Sequence, residues 1–192
     1  MEIEPESAAV DRARLSLVPP QGLTPTQVSS IRALLWAAFG DKPDEAMTEG
    51  DWQHALRGTH FLLELDTEIV AYASVAERQL EVGSRQLRTG YVEAVATAVP
   101  HQRRGLGSLL MTAVNAYIRE GFELGALGTG RHHFYERLGW ITWKGPTLVR
   151  TPEGPRRTPD EDGSVLVMFT PASPELDPAA SISCDWRSGD AW

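Results

Sequence analysis

Residues 91–118 place a basic, glycine-bearing loop between an apolar segment and an apolar stripe at helical spacing. Residues 91–99 are mostly β-branched or small, with Glu93 as their only charge, which predicts a buried strand ending at Pro100. The stripe after the loop consists of Leu109, Leu110, Ala113, Tyr117 and Ile118. A helix N-terminus offers unpaired N–H groups and the positive end of the helix dipole, so this order of elements favours phosphate binding.

The loop itself consists of Gln102, Arg103, Arg104, Gly105, Leu106 and Gly107. Its two glycines let the backbone approach a ligand closely because no Cβ stands in the way, and its arginines add positive charge. Glycines at this spacing also occur in ordinary strand–helix connections. The residue types alone therefore leave both interpretations open.

Glu93 lies in the middle of the predicted buried strand, where a carboxylate is costly unless it is paired or hydrated. One interpretation is a structural salt bridge with an internal arginine. The other is a site carboxylate that binds an amine and takes its proton through water.

Acidic side chains crowd two short segments, with Asp41, Asp44, Glu45, Glu49 and Asp51 in the first and Asp160, Glu161 and Asp162 in the second. Each segment is either a solvated loop or a surface for a cationic ligand. The five histidines show no metal-site spacing with carboxylates or thiols, so we expect no metal. Cys184 is the only cysteine, and lone cysteines are commonly buried and inert.

The composition is typical of one soluble domain, with 192 residues, 42% hydrophobic and 23% charged. The net charge of −8 argues against a general nucleic-acid surface. A single cysteine excludes an internal disulfide. The acidic N-terminal segment lacks the apolar stretch of a secretory signal. No apolar run approaches the ~20 residues that are needed to cross a bilayer. We therefore expect a cytoplasmic protein with no nucleic-acid or membrane partner.

The order of predicted elements indicates a disordered N-terminus over residues 1–13 and one domain over residues 14–192. Helices are predicted to begin at Thr24, to cover 50–56 and 131–138, and to follow the loop as far as 120. Strands are predicted at 15–18, 60–65, 69–78, 87–99, 123–127, 141–150, 164–169 and 181–186. Strands first, followed by alternating strands and helices, predict a mixed α/β sheet.

Several of these segments resemble a known superfamily. The string 102–107 matches the (Q/R)xxGx(G/A) pyrophosphate loop of the GNAT acyltransferases, and Phe134-Tyr135-Glu136-Arg137-Leu138-Gly139-Trp140 resembles their aromatic-rich helix. More specifically, the chain resembles the aminoglycoside 2'-N-acetyltransferases over about residues 30–192, through Gly40-Asp41, Asp51-Trp52, Gly90-Tyr91-Val92-Glu93, Leu124-Gly125-Ala126-Leu127, Trp143-Lys144-Gly145-Pro146, Arg157-Thr158-Pro159-Asp160 and the final CDWRxGDxW pattern. The resemblance implies a single GNAT-fold domain with a central mixed, mostly antiparallel sheet flanked by helices.

The activity implied by the resemblance is acetyl-CoA-dependent N-acetylation of the 2'-amino group of an aminoglycoside antibiotic, which would confer resistance. Transfer would be direct, through a tetrahedral intermediate. Glu93 would take the proton of the amine, and Tyr135 would protonate the leaving thiolate of CoA. The loop would hold the pyrophosphate, while Val95, Ala96 and Thr97 would pair with the pantetheine arm and an amide near Val95 would stabilise the oxyanion.

The acceptor site implied by the resemblance consists of Asp41, Asp51, Glu93, Ala94, Gly128, Glu161, Asp190 and Trp192. The α-carboxylate of Trp192 would form, with Asp190, a two-anion clamp for an ammonium group, so a C-terminal tag would raise the KM for the acceptor. Gly128 replaces the serine or similar hydroxyl residue that is usual after Leu127, and residues 42–47 lengthen the first acidic segment. These departures leave open a smaller acceptor such as kasugamycin.

Two alternatives remain beside this interpretation. One is a GNAT N-acetyltransferase acting on another amine, such as a polyamine or a peptide N-terminus. The other is a non-catalytic acetyl-CoA-binding module, which could dispense with Glu93 and Tyr135. A homodimer is expected because GNAT relatives are often dimers.

Overall fold

The structure is a computed structural model that describes residues 6–40 and 46–192. Within these residues the α-helices are α1 (Glu6–Arg12), α2 (Pro25–Phe39), α3 (Glu49–Ala55), α4 (Leu106–Gly121) and α5 (His132–Glu136). The strands are β1 (Arg14–Val18), β2 (Thr59–Leu65), β3 (Glu68–Val82), β4 (Arg85–Thr97), β5 (Leu124–Gly128), β6 (Ile141–Thr142), β7 (Thr147–Thr151), β8 (Gly154–Arg157), β9 (Val165–Phe169) and β10 (Ile182–Asp185). Short 3₁₀ turns cover Val99–His101 and Pro159–Glu161.

The strands form one mixed sheet in the order β6-β9-β5-β4-β3-β10-β7-β8, with β1 and β2 continuing from β3. Strands β4 and β5 run parallel over Thr89–Tyr91 of β4, because α4 carries the chain back between them. Strands β7 and β10 are also parallel. The other resolved pairs, β1–β2, β2–β3, β3–β10, β5–β9, β6–β9 and β7–β8, are antiparallel. The prediction of a mixed, mostly antiparallel sheet is confirmed.

The chain groups into two compact units, through both of which β3, β4 and α4 pass. The first unit contains the described part of residues 1–76 together with 93–114, and the second contains 77–92 together with 115–192. The predicted pyrophosphate loop and Glu93 belong to the first unit. Tyr135 and the C-terminal segment belong to the second.

The first unit is organised around an apolar cluster that includes Ile31, Leu35, Trp52, Leu62 and Tyr72. Helix α2 begins as the sequence predicts, because Thr24 and Gln27 form a reciprocal capping box with Pro25 at the first helical position. Residues 6–12, expected to be disordered, form α1, in which Ala9 is buried.

The second unit has its own core, which includes Tyr91, Leu124, Val167, Ile182 and Trp192. Its strands place the C-terminal segment beside β7, since Cys184 of β10 pairs with Val149. No helix in the described part of the chain is both long and apolar enough to cross a bilayer.

The strand predicted over 141–150 is divided into β6 and β7. Between them Trp143 is buried and its indole N–H donates to the Ala180 carbonyl at 3.0 Å. A Cβ at Gly145 would lie 1.8 Å from that same carbonyl oxygen, so only glycine permits this approach. Contact with a segment distant in sequence therefore interrupts an apolar run that local pattern assigns to one strand. The interval between the predicted strands 141–150 and 164–169 likewise contains β8 and the Pro159–Glu161 turn.

Candidate active site

The loop before α4 has a backbone shaped for an anion. Arg103 and Gly105 both have positive φ, at 59° and 76°, and α4 begins at Leu106. The Gln102 side chain ties the loop to β4 by donating to the Thr97 carbonyl at 3.1 Å. The Leu109 N–H donates to the Gly105 carbonyl, four residues earlier. The N–H groups that come before Leu109 in the first turn are therefore not used by the regular hydrogen bonds of the helix. The loop therefore presents backbone donors with arginines beside them, and its residues fit a pyrophosphate.

Strand β4 departs from regular geometry directly after Glu93. Ala94 has a positive φ of 52°, which is costly for a residue with a Cβ. Ala94 and Val95 are half-buried there, whereas Ala96 is buried again. Such an irregularity turns the adjoining amides away from the regular alternation of a strand. Backbone groups at 94–97 are thereby suited to bind an extended ligand.

Glu93 is 9% exposed, and its charge acts on the buried Tyr72 in the first unit. Burial raises the pKa of Tyr72, and the charge of Glu93 raises it further. The Tyr72 hydroxyl lies 2.8 Å from Nδ1 of His60, whose pKa is lowered to about 4 by burial. Tyr72 and His60 are therefore both neutral at physiological pH.

Tyr135 lies on α5 with 8% of its surface exposed, and its ring packs edge-on against Phe134 and Trp140. Its position is braced because the Trp140 indole N–H donates to the Asn115 side chain, which in turn donates to the Leu138 carbonyl. Burial raises the pKa of Tyr135 to about 12, against the opposing charge of Arg131. The phenol is therefore protonated at neutral pH and able to donate a proton.

Carboxylates from two segments meet in the second unit. The pKa of Glu161 is raised by burial first and then by the charges of Asp190 and Asp160. Asp190 Oδ1 also accepts the Trp192 N–H at 3.1 Å. The negative charges of these carboxylates repel one another, and a bound cation would reduce that repulsion. This group, the acidic cluster (Asp160, Glu161, Asp190), is therefore suited to bind an ammonium ion.

Trp192 connects the two segments that supply the acidic cluster. Its side chain is buried, and the indole N–H donates to Oγ1 of Thr158, just before the turn that carries Glu161. A Cβ at Gly128 would lie 3.5 Å from the main-chain carbon of Trp192 and 3.5 Å from the Tyr91 hydroxyl. The second unit thus brings together the predicted residues Gly128, Glu161, Asp190 and Trp192. Because Gly128 has no side chain, the place beside Trp192 and Tyr91 that a Cβ would take is left open.

Asp51 has a structural role that sequence reasoning missed. Its Oδ2 accepts from both the backbone N–H and the hydroxyl of Thr48, which makes it one half of the capping box that begins α3. The spacing of Thr48 and Asp51 carries this signal. Asp41 and most of the lengthened segment 42–47 lie outside the described residues.

Sequence reasoning also missed Arg78, at the end of the predicted strand 69–78. It is buried and donates to Asp185 and to the Ala191 carbonyl. Because Glu77 and Gln79 on either side of it are also polar, the local sequence does not distinguish Arg78 from an ordinary exposed strand end.

Cys184 and the histidines are the remaining side chains whose types could do chemistry. Cys184 is buried, and burial raises the pKa of its thiol to about 11, so thiolate is scarce at neutral pH. Among the described residues, no three of the His, Cys, Asp and Glu side chains cluster closely enough to hold a metal ion.

Comparison with known proteins agrees with this geometry. Residues 20–142 match the family model of the acetyltransferase (GNAT) domain. The chain is 39% identical over 172 residues to an aminoglycoside 2'-N-acetyltransferase from Mycolicibacterium fortuitum, covering 87% of this chain and 85% of that protein.

Two solved structures share the fold at low sequence identity. One is a GNAT family N-acetyltransferase from Escherichia coli in complex with CoA, with a TM-score of 0.64 and 16% identity over 90% of this chain and 89% of that chain. The other is a GNAT family acetyltransferase from Brucella melitensis in complex with acetyl-CoA, with a TM-score of 0.58 and 14% identity over 91% and 97% of the two chains. With the loop before α4, the irregular β4 and the match over most of its length, the chain belongs to the aminoglycoside 2'-N-acetyltransferase family of the GNAT acyltransferases.

Proposed function

We propose that this enzyme transfers the acetyl group of acetyl-CoA to the 2'-amino group of an aminoglycoside. The observation that carries the acceptor class is the acidic cluster beside Trp192, where burial and then the charges of Asp190 and Asp160 raise the pKa of Glu161. An aminoglycoside carries several ammonium groups, and each gains from a carboxylate partner. At ~4 Å and an effective dielectric near 20, one such pair is worth about 4 kcal/mol before desolvation.

The cofactor side of the proposal rests on the first unit. The backbone donors at 105–107 and the charges of Arg103 and Arg104 would hold the pyrophosphate. Val95, Ala96 and Thr97, after the irregularity at Ala94, would pair with the amide-rich pantetheine arm. Acetyl-CoA supplies the activated acetyl thioester.

The proposed proton transfers use Glu93 and Tyr135. An amine attacks a thioester only when it is unprotonated, so Glu93 takes its proton through water. As the new C–N bond forms, the C–S bond breaks and the sulfur leaves as a thiolate. Tyr135 gives that thiolate a proton, and its pKa of about 12 keeps the phenol protonated beforehand. The nitrogen loses its second proton as the amide forms, and a proton taken up from solvent restores the phenol. The buried Cys184 favours direct transfer over an acyl-cysteine.

A thiol-release assay across several amines tests the proposal. Acetyl-CoA would be offered with 2'-amino aminoglycosides, a 2'-hydroxy aminoglycoside as matched control, kasugamycin, spermidine and a peptide with a free N-terminus. We expect turnover with the 2'-amino compounds and much less with the 2'-hydroxy control. Kasugamycin is included because Gly128 leaves space beside Trp192. Turnover confined to spermidine or the peptide would overturn the proposed acceptor.

The pH dependence of acceptor binding provides a second prediction. Glu161 is ionised only above its raised pKa, so we expect the KM for the aminoglycoside to rise as pH falls through that pKa. Asp190→Asn removes one of the charges that raise it. The variant should have a higher KM at neutral pH, because an anion is lost, and an acid limb displaced to lower pH. Steady-state kinetics from pH 5 to 8 measure both effects.

The control for this prediction is Glu175→Gln, which removes the same charge from an exposed position outside the acidic cluster. Its pH profile should match that of the unmodified enzyme. If the acid limb of Asp190→Asn coincides with that of the unmodified enzyme, ionisation of Glu161 does not control acceptor binding.

A further inference from the structure

We propose that Arg78 is a positioning residue for the acceptor site, because it holds the segment 185–192 in the place where Asp190 and Trp192 act. The inference rests on the proposed function in one respect: the effect is expected on acceptor binding. Arg78 itself lies outside the acidic cluster and the cofactor loop.

The Arg78 guanidinium joins both ends of this segment. Its Nε donates to Asp185 Oδ1 at 3.0 Å and one terminal nitrogen donates to the Asp185 carbonyl at 2.8 Å. The other terminal nitrogen donates to the Ala191 carbonyl at 2.8 Å. A rigid planar fork can make these bonds together, whereas the single ammonium group of lysine cannot span them.

Burial makes this arrangement specific. The Arg78 side chain is only 5% exposed, and its guanidinium carbon lies 4.7 Å from the ring centre of Tyr91, which is itself 1% exposed. Asp185 offsets the buried charge. A buried charged network of this kind is seldom the most stabilising solution, since apolar side chains of similar size often serve stability equally well. The network therefore suggests a role beyond packing.

The clamp acts directly on the acceptor residues. Ala191 lies between Asp190 and Trp192 in the chain, so fixing its carbonyl fixes the backbone of both. Cys184 strengthens this point by donating its thiol to the same carbonyl at 3.3 Å. Loss of the Arg78 bonds would weaken the attachment of Asp190, leaving the bond from the Trp192 indole to Thr158 in place, without removing either carboxylate.

Arg150 provides a matched control in the same unit. It donates to the carbonyl and the hydroxyl of Ser183, both at 2.7 Å, and to the Gln79 carbonyl. It therefore cross-links β7, β10 and β3 much as Arg78 links its partners. Its side-chain bonds do not reach the segment 185–192, and Arg150→Lys leaves the backbone bond from the Trp186 N–H to the Arg150 carbonyl in place. Arg150 is half-buried, so the variant measures the cost of losing an arginine fork that links strands of the same unit.

The test compares Arg78→Lys with Arg150→Lys. We expect Arg78→Lys to raise the KM for the aminoglycoside about tenfold or more, with the KM for acetyl-CoA within about twofold of the unmodified enzyme. Arg150→Lys should leave both values nearly unchanged. Equal effects of the two variants on the aminoglycoside KM, or an Arg78→Lys effect on kcat alone, would overturn the proposal.

A double-mutant cycle tests the route of the effect. If Arg78 acts through Asp190, Arg78→Lys should change the KM by much less in an Asp190→Asn background than in the unmodified enzyme. Full additivity would overturn the proposal. Should thermal melting show that Arg78→Lys does not fold, Asp185→Asn removes the charge partner with Arg78 in place, and should raise the same KM by a smaller factor. An unchanged KM there would count against the clamp.

Hydrogen exchange separates this inference from the proposed function. Arg78→Lys should speed amide exchange at residues 186–192 relative to Arg150→Lys, whichever amine the enzyme acetylates. Unaltered exchange would overturn the clamp even if aminoglycosides are acetylated. Failure of the unmodified enzyme to acetylate any aminoglycoside would instead overturn the proposed function, and would leave the exchange result standing.

Discussion

Tyr135→Phe is expected to lower kcat by about 10²-fold or more while leaving the KM for acetyl-CoA within about twofold. The substitution removes one hydroxyl from a side chain that is otherwise held by packing against Phe134 and Trp140. Both ring contacts survive in phenylalanine, so the fold and the melting temperature should change little. What is lost is a donor for the leaving thiolate.

The pH profile sharpens this prediction. Because the pKa of Tyr135 is about 12, the phenol stays protonated through the range in which the protein is stable. Its protonated form is the active one, so its titration should add no limb to the kcat profile between about pH 6 and 9. The variant should therefore be slower by a nearly constant factor across that range.

Tyr117→Phe is the matched control, since Tyr117 lies on α4, packs against Phe122 and loses the same hydroxyl. We expect it to retain nearly full turnover in the thiol-release assay. If Tyr135→Phe turns over as fast as Tyr117→Phe, Tyr135 is not the acid and the proton must come from solvent.

Features set by short-range interactions could be predicted from the sequence. The start of α2 follows from Thr24, Pro25 and Gln27, which lie within one turn and satisfy one another. The loop before α4 is equally local, because glycine at 105 and the adjoining arginines determine both its backbone and its charge. The conformation of each of these elements is determined by residues that are close together in the sequence.

Features set by distant contacts could not be predicted. The break between β6 and β7 depends on how closely Gly145 approaches the Ala180 carbonyl. Ala180 is far from Gly145 in the sequence, so the residues around Gly145 do not reveal this contact. Residues 6–12, within the N-terminus predicted to be disordered, likewise form α1. The buried position of Ala9 shows what a local pattern omits.

The candidate site divides in the same way. The sequence indicates Glu93 as a candidate site residue because it is the only charge in an apolar strand. The surroundings of Glu161 and Asp190 contain contacts between distant segments instead: the Trp192 indole donates to Thr158, and Arg78 donates to Asp185 and to the Ala191 carbonyl. Family resemblance supplied the residues of that cluster, but only the packed structure supplies the interactions that hold them.

Gly105→Val should weaken acetyl-CoA binding by about 10²-fold or more while the protein remains folded. Two effects act together at this position. The φ of 76° is strained for any residue with a Cβ and most of all for a β-branched one, and the added side chain lies where a phosphate would approach the first turn of α4. Isothermal titration calorimetry with CoA measures the loss without requiring turnover.

The control must separate strain from obstruction. Gly83, in the turn between β3 and β4, also has a positive φ, at 60°, and a Cβ there would meet nothing within 4 Å. Gly83→Val therefore carries a similar backbone cost at a distance in sequence from the loop, and it should bind CoA normally. Equal weakening in both variants would attribute the loss to general destabilisation. Normal binding by a folded Gly105→Val would show instead that the pyrophosphate is bound elsewhere, because a valine at that position leaves no room for it beside the helix N-terminus.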